Sequence, residues 1–68
     1  MGTTIAPRVG ACIKVTRGGD VFLGTVESDS IFTIGGRDGF HVNVHNHNGA
    51  PIRSSLFVSY EQWTLIPL

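Results

Sequence analysis

Glycine recurs so often along these 68 residues that no stretch is left long enough for a convincing amphipathic helix. Nine glycines and three prolines cut the chain into short runs rich in β-branched and aromatic residues. Each run is bounded by residues that accept positive φ or end a strand, which is the pattern of an all-β domain.

Ala11 to Thr16 alternates, with Ile13 and Val15 on one face and Lys14 and Thr16 on the other, so it reads as a half-buried strand. Arg17-Gly18-Gly19-Asp20 is a turn, and Val21 to Glu27 a second strand in which Gly24 permits a bend or bulge. After Ser28-Asp29-Ser30, the run Ile31 to Ile34 is a third strand. Gly35 to Gly39 is a glycine-rich reversal ending in an Asp-Gly step suited to a hairpin. Phe40 to His47 alternates most cleanly. Phe40, Val42 and Val44 line one face, and His41, Asn43, His45 and His47 the other. Asn48-Gly49 supplies a tight turn, and Ile52 to Tyr60 is extended. Tyr60-Glu61-Gln62-Trp63 is expected to form one helical turn before a last strand, Thr64 to Ile66, that Pro67 confines to an edge or end.

Five or six short strands in so few residues point to a small, strongly bent barrel. The organisation expected is an extended N-terminal arm over 1–10 and one barrel domain over 11–68. Its predicted core is Ile13, Val15, Phe22, Val26, Phe32, Ile34, Phe40, Val42, Val44, Ile52, Val58, Trp63 and Leu65. At this size the core is marginal and indivisible.

The hairpin of Gly10 to Val26, with its Gly-Gly turn and Gly24-Thr25-Val26 return, resembles the opening of Src-homology-3-like barrels. Tyr60 to Trp63 sits where such barrels often place a one-turn helix before the last strand. Ribosomal and transcription-factor KOW modules, Tudor-like domains and plasmid-encoded type II dihydrofolate reductases share this architecture. The reductase resemblance implies an oligomeric enzyme with its site at subunit contacts. Its Val-Gln-Ile-Tyr segment is answered here by Phe57-Val58-Ser59-Tyr60, which keeps the tyrosine. The resemblance carries a fold and leaves the function open.

Charge narrows the function. Five Lys plus Arg balance five Asp plus Glu, so the basic footprint of a nucleic-acid module is missing, nucleic acid is not an expected partner, and a nucleic-acid-binding barrel stands third behind an assembly module and a reductase-like enzyme. One cysteine allows neither a disulfide framework nor a cysteine-rich zinc site. No apolar run approaches a membrane span, and Met1 to Ala6 does not read as a signal peptide, so a cytoplasmic protein is expected.

The histidines are the most chemical feature. On a regular strand His45 and His47 lie about 6.6 Å apart on one face, with His41 further off, and such a row can converge on zinc, nickel or copper. The plainer reading is a solvated polar face, because no Cys, Asp or Glu is near in sequence. Between the two lies a titrating face, where acidification loosens a subunit contact by charge repulsion. Cys12 shares a face with Lys14 and is read as a buried or half-buried structural thiol. Asp20, Glu27, Asp29 and Asp38 read as turn residues, and Arg8, Lys14 and Arg17 as ordinary surface. No motif calls for a cofactor and no catalytic set is named.

What remains is association. Only 15% of residues are charged and mean hydropathy is positive at +0.16, so apolar surface beyond the core is expected to meet a partner. The expected function is a non-enzymatic interaction or assembly module, either a homo-oligomer or an accessory subunit of a larger complex. One form of it is a small adaptor of the phage or mobile-element kind. Tyr60, Trp63, His41, His45 and His47 are its expected interaction surface.

Overall fold

The computed structural model describes residues 6–68. Six strands follow in order: β1 (Cys12–Arg17), β2 (Asp20–Val26), β3 (Phe32–Ile34), β4 (Arg37–His47), β5 (Ala50–Ser59) and β6 (Thr64–Pro67). All pairings are antiparallel, and the strands form one sheet curled into a half-barrel. β4 is the spine of the sheet and pairs with β2, β3 and β5. β1 lies between β2 and β6, so the last strand returns to the first.

The alternation of the sequence explains the inner face. Ile13, Val15, Val26, Phe40, Val42, Val44, Val58 and Trp63 are buried there, with Phe22, Ile52 and Leu65 packed partly buried against them. Each fully buried side chain of this kind contributes about 1.5–3 kcal/mol. Ser59, buried opposite Gly39 on the other face, donates its hydroxyl to Gln62 Oε1 at 3.1 Å.

Two glycines let the sheet curl this tightly. A Cβ on Gly24 would overlap the Asn43 carbonyl oxygen, and one on Gly39 the Val58 carbonyl oxygen. At both places adjacent backbones meet more closely than any side chain allows.

The reversal after β3 is shorter than the sequence reading had it. The turn is Gly35-Gly36, both at positive φ, so Ile34 pairs with Arg37 and β4 begins at Arg37 rather than Phe40. The Asp38-Gly39 step lies within the strand. This register puts Phe32 opposite Gly39, on the face opposite Phe40. Phe32 and Ile34 are therefore not core residues; they are 41% and 50% exposed.

Other expectations change at the ends. Residues 1–5 of the expected arm lie outside the described residues. Ala6 to Arg8 is irregular, Pro7 is buried, and a turn at Val9-Gly10 is closed by the Ala11 N–H donating to the Arg8 carbonyl at 3.0 Å. Tyr60 to Gln62 is a single turn that does not continue into a helix, closed i→i+4 by the Trp63 N–H donating to the Ser59 carbonyl at 3.1 Å, as the expected one helical turn would be. Cys12 is exposed, not buried, because β1 turns Ile13 and Val15 inward and its neighbours outward. Among the described residues no helix is long and apolar enough to cross a membrane.

Candidate functional site

The histidine row does not survive folding. Gly24 pairs with Val44 and Leu23 with Asn46, so His45 is an extra residue in β4, a bulge. Beyond it the faces exchange, and His47 pairs with Phe22 on the inner side. Its ring stacks on Phe22 at 4.3 Å between centroids and 8° between planes, and its Nε2 lies 3.0 Å from Asp20 Oδ1. His41 remains on the outer face, and His45 is exposed at the bulge. The three imidazoles thus sit in three environments. Among the described residues no group of three His, Cys, Asp or Glu could hold a metal ion. Repulsion among three like charges on one face has no basis in this arrangement.

His47 belongs instead to an aromatic cap at one end of the half-barrel. Phe22 meets Trp63 edge-on at 5.7 Å, and the Arg17 guanidinium lies 4.5 Å above the Trp63 ring. Such contacts are worth about 0.5–1.5 kcal/mol each beyond burial. Trp63 is only 7% exposed, so it packs and seals rather than presents a surface.

His41 belongs to a second cluster, on the outer face. The Phe32 ring meets it edge-on at 5.2 Å, and the Phe57 ring lies 5.4 Å away on its β5 side. Phe32, His41 and Phe57 form a stripe across three strands, and Ile34 shares the face of Phe32. Large exposed hydrophobics are concentrated here. Ile31, Phe32 and Ile34 stand 41% to 51% exposed within one four-residue run.

Tyr60 lies on the other side of this hairpin. With Ile31, Gly36, Arg37, Asp38 and Glu61 it lines an open pocket of about 350 Å³. Partial burial, and secondly the Asp38 carboxylate, hold its phenol above the ordinary tyrosine value. A more apolar pocket of about 230 Å³ lies between Pro7, Ile13, Val26 and Phe40, with Cys12 and Arg8 at its wall.

Of the five surface residues expected from sequence, the structure places Tyr60 and His41 beside the apolar hairpin and His45 on an exposed bulge. It turns Trp63 and His47 into the aromatic cap. Phe32 and Ile34 are not visible as surface from the sequence, since a turn taken as Gly35 to Gly39 hides the face they occupy, and Phe57 joins them only through its β5 pairing with His41. The recoverable signal was Gly35-Gly36, a two-residue hairpin pair in its own right. Comparison with known proteins gives no matching family model, no matching characterised protein and no matching solved structure.

Proposed function

We propose that this chain is a non-enzymatic interaction module, acting in the cytoplasm as a homo-oligomer or as an accessory subunit of a larger complex. The barrel it is built on is of the Src-homology-3-like kind. Support for that kinship comes from the returning last strand, paired with β1, and the single turn at Tyr60 to Gln62 before it.

One observation carries the functional reading. The β3 hairpin exposes Ile31, Phe32 and Ile34 together, outside the core that the inner face forms. A small domain with zero formal charge has little to keep such a surface apart from another. Burying it stabilises an assembly, and a core of this size gains from such a staple.

Sedimentation velocity over a range of concentrations tests the reading. A discrete oligomer at micromolar concentration is expected. A chain that stays monomeric to hundreds of micromolar at low salt, and that joins no complex, overturns it.

A further inference from the structure

We propose that two copies of this chain join edge to edge through β3, antiparallel about Thr33, so that their curled sheets become one. The proposal rests on the self-association reading above and names its surface.

The backbone supplies the first argument. A two-residue turn at Gly35-Gly36 makes Ile34 and Arg37 the pair that exchange N–H···O bonds, and Phe32 and Gly39 the next such pair. Thr33, opposite Asp38, is the pair between them, so its N–H and carbonyl point away from β4. Among the described strands β3 pairs with β4 alone. The Thr33 hydroxyl is engaged sideways, donating to Asp38 Oδ1 at 2.6 Å, and leaves the backbone edge open. A two-fold axis beside Thr33 lets the two Thr33 residues exchange N–H···O=C bonds, and it sets Phe32 of each copy opposite Ile34 of the other.

The edge is short, three residues, but lacks two other usual defences. From Ser30 to Gly36 the chain carries no charge and no proline, devices that ordinarily keep sheet edges apart.

Charge at the two ends of the edge identifies the occupant. Asp29 precedes β3 and Arg37 follows its turn, and both are exposed. Within the chain, Arg37 has a loose contact of 3.8 Å with Glu61. In the antiparallel arrangement Asp29 of each copy runs past the turn of the other, toward the end where the partner's Arg37 stands on β4 behind Ile34, twice over by symmetry. A parallel alignment sets like charge against like. The edge is complementary to itself in backbone, apolar surface and charge, so a second copy is the partner it fits.

The test uses the full chain in sedimentation velocity, with circular dichroism and thermal melting alongside. Thr33→Pro removes an N–H that the monomer does not use, at an edge position where proline is tolerated. It should raise the dimer dissociation constant about 30-fold while leaving the fold intact. Asp29→Arg and Arg37→Asp should each weaken the dimer roughly 5-fold, and the double exchange should restore it. If Thr33→Pro fails to fold, the charge exchange decides. A wild-type dimer indifferent to these changes overturns the β3 edge and leaves self-association standing. A wild-type monomer overturns both.

Discussion

The two tight hairpins of this protein are built on the same backbone device and finished in opposite ways. Gly35-Gly36 joins β3 to β4 and Asn48-Gly49 joins β4 to β5, each through two residues at positive φ. The second is tied down from all sides. Asn48 Oδ1 accepts the Val21 N–H at 2.7 Å, and the Asn48 N–H donates to the Val21 carbonyl at 2.8 Å. Asn46 Oδ1 accepts the Gly49 N–H at 2.9 Å, while His47 stacks on Phe22 and reaches Asp20. The first hairpin has the Thr33–Asp38 bond, the Phe32–His41 contact, the Tyr60 N–H donating to the Asp38 carbonyl at 3.0 Å and a loose Arg37–Glu61 contact, all on its β4 side or face, while three large apolar side chains stand in solvent. One hairpin is completed by its own chain. The other keeps apolar side chains exposed.

The sharpest way to break this contrast is to remove the strand both hairpins share. Val42 is fully buried at the centre of β4. Val42→Asp places an unpaired carboxylate there and should cost about 4 kcal/mol or more, enough to unfold a domain of this size. Gly39→Ala should follow closely, because its Cβ would overlap the Val58 carbonyl and backbone cannot move aside as a side chain can. Thermal melting checks both. A melting temperature unchanged by Gly39→Ala would show that β4 and β5 cross less tightly at that point than the structure has them.

The next experiments set one hairpin against the other. Asn48→Ala removes an acceptor from the Val21 N–H and puts alanine at φ 50°, so it should cost about 1–2 kcal/mol. Ile34→Thr at the open hairpin should change the stability of the monomer by less than about 0.5 kcal/mol, since half of Ile34 is already in water. Its larger effect should fall on association. Equal losses from the two substitutions in denaturant titrations would erase the distinction between the hairpins.

This contrast explains what the sequence could tell. Alternation alone located Ile13, Val15, Phe40, Val42 and Val44, because a two-residue period needs no knowledge of neighbours. It fails at Phe32 and Ile34 because a face is assigned relative to a turn, and the Asp38-Gly39 step resembles a turn although it lies within β4. It failed at His47 for a related reason. One bulged residue, His45, inverts everything beyond it, and a bulge depends on the partner strand as much as on its own sequence. Gly24 was legible as a bend in β2, yet the extra residue stands across from it in β4. The candidate surface was legible only as a tendency toward association. Its location came from register.

The smallest effect reads the ground beside the open hairpin. Tyr60 is the only tyrosine of the chain, so its titration can be followed alone by tyrosinate absorbance. Its phenol should ionise above the ordinary value near 10, chiefly because burial penalises the charged form and secondly because Asp38 repels it. Asp38→Asn should therefore lower the titration only part of the way. The folded state binds this proton more tightly than the unfolded chain does. The stability it contributes is thus whole below the ordinary tyrosine range and is lost as pH rises through the raised folded value. Tyr60→Phe should flatten that alkaline decline. A wild-type phenol titrating at the value of free tyrosine would mean that the pocket beside Ile31 is as wet as bulk solvent. The pocket side of this hairpin would then be no drier than its open edge.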